Sequence, residues 1–222
     1  MIQLAKLQFN PYGENTYLLF DETKQAIIID CGTSSEAEFL RLVDFVEKNQ
    51  LQPIMVVATH GHIDHICGIY DCVEKWAIPF AMHSADQPFL DCAIEYGATL
   101  GFKLNGVPRV DIDLAQQKTI ALGNHTIEVV ATPGHSLGGV CLHVPSQKLL
   151  ISGDTLFAGS IGRTDLAGGD YNQLMHSIIN ELLVLDGATK VFPGHASDTS
   201  IGQEGLYNPF ITDVMQGEFK YE

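Results

Sequence analysis

The chain has 222 residues, of which 45% are apolar and 18% charged; this excludes general disorder and allows a sizeable buried core. Lys and Arg number 12 against 27 Asp and Glu, a formal net charge of −15, so neither nucleic acid nor an anionic membrane surface is an expected partner. No run of about 18 apolar residues occurs, so nothing is expected to span a bilayer, and an anionic substrate would need a local positive charge such as a metal.

The predicted elements begin with short β-runs at Ile2–Phe9 and Thr16–Phe20, separated by the turn signal Asn10-Pro11-Tyr12-Gly13. Ala26–Asp30 is a β-branched strand ending in a carboxylate. Ser34 or Ser35 can cap a following helix, whose apolar face is Phe39, Leu42, Val43 and Val46. Ile54–Ala58 is predicted as a strand buried on both sides. Helices are expected at Ile69–Trp76 and Ala85–Tyr96, with a short strand at Pro79–His83 between them. Residues 101–118 are turn-rich and receive no element. Strands follow at Ile127–Ala131, Val140–Val144 and Leu149–Ser152. Leu174, Ile178, Leu182 and Leu185 mark a helix, Lys190–Phe192 a strand, and a last helix starts near Ser197. This order fits two sheets between helices, although periodicity alone leaves other α/β layouts open.

The five cysteines, Cys31, Cys67, Cys72, Cys92 and Cys141, are odd in number and form no CxxC pair. Reduced thiols in the cytoplasm are the expectation. Met1–Lys6 does not have the pattern of a signal peptide.

The densest chemistry is Thr59-His60-Gly61-His62-Ile63-Asp64-His65, directly after a predicted strand. On extended backbone His60 and His62 project to the same side and can share one metal. The chain must then turn, which frees Asp64 and His65 for a second; Gly61 permits close backbone approach. Three more segments pair an apolar strand with a ligand just past a glycine. They end in Pro133-Gly134-His135, Gly153-Asp154 and Pro193-Gly194-His195. If these strand ends converge, His60, His62, Asp64, His65, His135, Asp154 and His195 form one cage. Nitrogen and carboxylate ligands without thiolate suit Zn²⁺, Fe or Mn. The set exceeds the three protein ligands usual for one catalytic zinc, so two divalent metals, zinc foremost, sharing a carboxylate fit better. His83, His125, His143 and His176 have no such setting and are read as surface or hydrogen-bonded residues; Cys67 is read as packing.

Asp30, the His60–His65 segment, the His135 loop, Asp154 and His195 occur in the order found in the metallo-β-lactamase superfamily, which the chain resembles from about Ala26 to His195. The resemblance implies an αββα sandwich with the metals at one edge of the sheets. It implies His60, His62 and His135 on one metal, Asp64, His65 and His195 on the other, and Asp154 bridging. Asp30 would tie down the histidine loop rather than bind metal.

Ser152–Phe157, Gly159–Asp165 and Glu204…Asn208-Pro209-Phe210 resemble the short members of the glyoxalase II group, the hydroxyacylglutathione hydrolases. That likeness implies hydrolysis of thioesters such as S-(2-hydroxyacyl)glutathione by a hydroxide bridging the metals, with Asp64 orienting it. Arg163 falls at the position of a basic substrate anchor in that group. Asp165 falls where the longer enzymes carry a glutathione-touching tyrosine. The chain is expected to be one domain over 1–222 without the helical, glutathione-gripping C-terminal region of the full-length enzymes. His65 and Asp154, in place of a cysteine ligand, depart from many true β-lactamases and argue against antibiotic hydrolysis. A persulfide dioxygenase, similar around Gly162–Asp165, and a lactone hydrolase are the alternatives on this fold. A metal-stabilised scaffold without activity would need only four ligands.

Overall fold

The β-runs at the start of the chain become three antiparallel strands, β1 (Gln3–Phe9), β2 (Glu14–Phe20) and β3 (Gln25–Ile29), in a computed structural model that describes residues 1–215. Helix α1 (Glu36–Lys48) then crosses to β4 (Gln52–Val57), parallel to β3. Ser35 caps α1, its side chain accepting from the Glu38 N–H, with acidic residues in the first turn and Lys48 in the last, matching the helix dipole. Beyond β4 come α2 (Ile63–Ile66), α3 (Ile69–Trp76), β5 (Phe80–Met82), α4 (Gln87–Asp91), α5 (Ala93–Thr99) and β6 (Ile112–Asp113). Strands β1 to β6 form one six-stranded sheet in sequence order.

The second half supplies β7 (Thr119–Leu122), β8 (His125–Ala131), β9 (Val140–Val144) and β10 (Leu149–Gly153), a small hairpin β11 (Leu156–Phe157) and β12 (Ser160–Ile161), and α6 (Tyr171–Ser177). After these come β13 (Lys190–Pro193), β14 (Thr199–Ser200), α7 (Ile201–Tyr207) and α8 (Pro209–Met215). The second six-stranded sheet runs β14-β13-β10-β9-β8-β7.

Strand alternation assigns the layers. Tyr17, Leu19, Ile27 and Ile29 point between the sheets, where Ile127, Leu142 and Ile151 of the second sheet meet them. Their neighbours Leu18, Phe20 and Ile28 point outward onto Leu42 and Val46 of α1 and Ile69 and Cys72 of α3. On the far side Cys141, Leu150 and Val191 pack beneath Leu174, Ile178 and Ile201. The result is the four-layer αββα sandwich. Full burial of each such side chain stabilises by about 1.5–3 kcal/mol before chain entropy is counted. β4 is buried on both sides at Val56 and Val57, as its continuous apolar run predicts.

Three elements differ from the sequence reading. The helix expected over Ala85–Tyr96 is a 3-10 turn, α4 and α5, broken at Cys92 (φ −107°, ψ 3°). Pro88 fixes the first turn of α4, and Asp86 before it is recruited elsewhere, as described below. The helix marked by Leu174–Leu185 is α6 followed by a π-helical turn, Ile178–Leu182. β7 pairs with β8 across Gly123-Asn124, a two-residue turn whose signal was present in the sequence. All five cysteines are free thiols, and Cys67 is buried in the helix-covered core. Among the described residues no helix is long and apolar enough to cross a membrane.

Candidate metal centre

The ligand-bearing loops leave their strands at one edge of the sandwich. Backbone bonds between the two sheets fix that edge: Val140 N donates to Thr59 O at 2.9 Å, and Asn15 N to Gly194 O at 2.7 Å. Tyr17, fully buried, reaches across to donate its hydroxyl to Pro193 O at 2.8 Å.

β4 delivers Thr59 and His60 into this edge. His62 caps α2, the single helical turn that carries Asp64 and His65, so the turn expected after His62 is a helix start. A Cβ on Gly61 would lie 2.9 Å from Phe89, which is why the bare backbone is needed there. Gly194 is tighter still: its Cβ would stand 2.3 Å from Asp154 Oδ1 and 2.6 Å from His65 Cε1. A side chain at 194 would fill the space into which the ligands point.

The structure brings all seven predicted ligands together. One ligand atom from each of His60, His62 and His135 lies within 4.8 Å of the others, and Asp64, His65 and His195 form a second such group. Within them His62 Nδ1 faces His135 Nε2 at 2.8 Å, and His65 Nε2 faces His195 Nε2 at 3.2 Å. Asp154 stands between the groups. Its carboxylate lies 3.5 Å from His65 Nε2, 3.6 Å from His135 Nε2 and 3.7 Å from His195 Nε2. Asp64 Oδ2 is 3.1 Å from His195 Nε2.

Two observations test whether this cluster fits metal ions. Converging imidazole nitrogens offer lone pairs to one another at hydrogen-bond distance. Moreover, His60 Nε2 and Asp154 Oδ1 are buried without any hydrogen-bond partner. Orphaned polar atoms are costly in a protein interior unless something binds them. Cations between the two groups would satisfy them, so the residues fit a pair of ions.

Four of the five rings are aimed by their other nitrogen. His60 Nδ1 meets Thr59 Oγ1 at 3.0 Å, His65 Nδ1 meets Asp30 Oδ2 at 3.2 Å, His135 Nδ1 meets Arg163 O at 2.7 Å, and His195 Nδ1 meets Tyr12 O at 3.2 Å. Such partners set tautomer and orientation in metal sites. Asp30 also accepts from Thr59 N and Thr59 Oγ1, both at 2.7 Å, and sits at φ 53°, a left-handed conformation unusual for a residue with a Cβ. It thus takes the tethering place that the resemblance implied.

The electrostatics suit cation capture. Burial, with the neighbouring imidazoles, pushes the His60 pKa well down, and takes that of His62 down to about 3, so both are neutral at pH 7 with lone pairs available. Burial works against the Asp64 carboxylate, but His65 and His195 outweigh it and hold its pKa below the ordinary range. Burial likewise opposes a charged His65, and Asp154, Asp64 and Asp30 reverse that and push its pKa well up. A proton there would be released when a cation binds.

The sequence reading missed three contributors. Asp86 is fully buried; its Oδ2 accepts from Gly61 N and Ser136 Oγ, both at 2.8 Å, and its Oδ1 from Gly138 N at 2.7 Å. It joins the His60–His62 loop to the His135 loop, and only its place at a helix start hinted at an acceptor role. The carbonyls of Tyr12 and Arg163 left no signal, because backbone acceptors carry no residue signature. Glu204 and Asn208, quoted above as family-like, hold the β11–β12 hairpin: Glu204 Oε2 accepts from Gly159 N at 2.8 Å, and Asn208 Nδ2 donates to Ser160 O at 3.0 Å. That hairpin leads directly to the Arg163 carbonyl. The Arg163 guanidinium itself stands at the rim, held by both oxygens of Asp165 at 2.7 and 2.8 Å.

Comparison with known proteins agrees with this geometry. Residues 9–195 match the Metallo-beta-lactamase superfamily. The chain belongs to that superfamily. It is 31% identical to hydroxyacylglutathione hydrolase GloC of Haemophilus influenzae over 90% of this chain and 93% of that one. It is 36% identical to the BLEG-1 B3 metallo-beta-lactamase, with a TM-score of 0.86 over 95% of this chain and 100% of that one. The structure of TTHA1623 in a di-iron-bound form gives 32% identity and a TM-score of 0.81 over 93% of this chain and 99% of that one. The chain is a metal-dependent hydrolase of this superfamily, with a His/Asp cluster of the kind a dinuclear centre requires.

Proposed function

We propose that the chain hydrolyses thioesters, with S-(2-hydroxyacyl)glutathione as the first substrate to test, at a pair of zinc ions. His60, His62 and His135 would hold one ion, Asp64, His65 and His195 the other, and Asp154 both. Two divalent ions there would supply hydroxide near neutral pH and a Lewis acid for the carbonyl oxygen. The protein's own groups then align the reactants: Asp64 orients the attacking oxygen, and the cavity wall holds the acyl group over the ligands.

The observation that carries the choice of a thioester is the chemistry of the cavity wall. It has a volume of about 360 Å³ and, besides the ligand cluster, is lined by Tyr12, Ile63, Tyr96, Leu100, Arg163 and Leu166. Among the described residues no Lys and no carboxylic acid outside the ligand set lines it, which leaves the half-exposed phenols of Tyr12 and Tyr96 as the acids available to a poor leaving group. A thiolate, with a thiol pKa near 8.5, departs without that help. An amine or alkoxide needs it. The likeness to GloC supports the same reading. The odd number of cysteines and the lack of a CxxC pair are the sequence grounds for placing this activity in the reducing cytoplasm.

The test is a panel on purified, metal-loaded protein: S-lactoylglutathione, a lactone, a β-lactam, and a persulfide with oxygen uptake recorded. The BLEG-1 likeness puts the β-lactam on the panel. Thiol release is expected at a kcat of about 1–10³ s⁻¹, well above the other hydrolyses, with no oxygen consumed. Oxygen uptake with the persulfide, or faster opening of the lactone or β-lactam, would contradict the proposal.

A further inference from the structure

Helix α2 carries Asp64 and His65 on a single turn, Ile63–Ile66. A helix that short cannot satisfy its own carbonyls or hold itself in place, so its position is set from outside. The support for Asp64 comes from the β1–β2 turn. Asn10 Nδ2 donates to Asp64 O and to Gly32 O, both at 2.9 Å. Its Oδ1 accepts from Tyr12 N at 3.0 Å, and the carbonyl of the same Tyr12 meets His195 Nδ1 at 3.2 Å. Three hydrogen bonds through Asn10 and Tyr12 thus join Asp64 to His195 from behind. On the ligand side the two residues approach to 3.1 Å.

The residue type fits this duty. Two amide hydrogens meet two carbonyls and the amide oxygen meets an N–H; an ionised Asp has no donor to give. Asn10 sits at φ 50°, a left-handed conformation that Asn tolerates better than most residues. A turn of this kind needs only the bond to Tyr12 N. The bonds to Gly32 and Asp64 reach other parts of the chain, and turn formation does not explain them. The hairpin is also fastened to the other arm of the half-site: Asn15 Nδ2 donates to Pro193 O at 3.0 Å and Ala196 O at 3.1 Å, on either side of His195. Among the described residues the Asn10 side chain makes no bond to His60, His62 or the His135 loop, which Asp86 secures instead.

We propose that Asn10 is a positioning residue for the second half-site: it sets the spacing of Asp64 and His195, and with it the affinity for the ion these two and His65 would hold. The inference rests on the two-ion part of the reading above and is independent of the substrate. Asn10 acts through Asp64 and Tyr12 rather than on the reacting atoms.

Two variants test it. Asn10→Gly keeps the left-handed turn and removes all three side-chain bonds. Asn10→Asp keeps the acceptor for Tyr12 N and removes both donors. Its added negative charge would by itself favour a cation, so a loss there isolates the donors. Zinc is withdrawn from each loaded chain with a graded chromophoric chelator, and crystals grown at limiting zinc show which position empties. In both variants the affinity for one ion is expected to fall by about 10–100-fold, the effect of removing an outer partner of a ligand. The position between Asp64, His65 and His195 is expected to empty first, with the other ion held as in the wild type. Equal weakening of both ions, loss centred on His60, His62 and His135, or unchanged affinities in both variants would overturn the inference and leave the two-ion reading standing. A wild type that holds a single ion at full loading would overturn that reading and this inference with it.

Discussion

Asp154→Ala is expected to lose about 10³-fold or more in turnover and to retain fewer than two metal ions per chain. The size follows from its position. Outer partners that merely orient a ligand cost about 10–100-fold when removed. Asp154 lies within 3.7 Å of imidazoles from both halves of the cluster, so both depend on it. The fold is expected to survive, because the Asp154 carboxylate is not part of the hydrophobic layers and its Oδ1 is without a protein hydrogen bond. Metal analysis and kinetics on the same preparation check this. Two retained ions with a near-normal rate would show that Asp154 is not the shared ligand.

Asp86→Ala is the second large effect. It strips partners from Gly61 N, Ser136 Oγ and Gly138 N while all three stay buried. Each unsatisfied donor costs about 1–3 kcal/mol, and part is recovered by entry of water, so a loss of about 3 kcal/mol is expected. For a chain of this length that is a fall in Tm of about 6–12 °C. The two loops it joins carry His60, His62 and His135, so metal affinity in that half is expected to fall by about 10–100-fold, with the other half less affected. Asp86→Asn keeps one acceptor oxygen and is expected to recover part of both. Thermal unfolding and metal titration of the two variants decide it; an unchanged Tm together with unchanged affinity would contradict the role.

The ligands were legible in the sequence because their chemistry is dense and their setting repeats. His60–His65 follows a strand that is apolar on both faces, and His135, Asp154 and His195 each follow a strand and a glycine. Strand alternation likewise separates Leu18 from Leu19 and Ile28 from Ile29, and the four layers follow from it. What escaped the sequence depends on tertiary context. The break between α4 and α5 comes from a local stop at Cys92 that no residue type announces. Asp86 looks like any helix-capping acid until the loops fold over it. The carbonyls that aim His135 and His195 belong to Arg163 and Tyr12, whose side chains say nothing of that duty. The pairing of Arg163 with Asp165 was within reach, since the two stand two residues apart, but the family likeness drew attention to a substrate anchor instead.

The central claim is that seven side chains form two half-sites around one shared carboxylate. Anomalous X-ray diffraction at the metal edge, from crystals of the metal-loaded protein, tests it most directly. Two peaks are expected, one against His60, His62 and His135 and one against Asp64, His65 and His195, with Asp154 touching both. A single peak at full metal loading, or ions bound away from Asp154, would contradict the account.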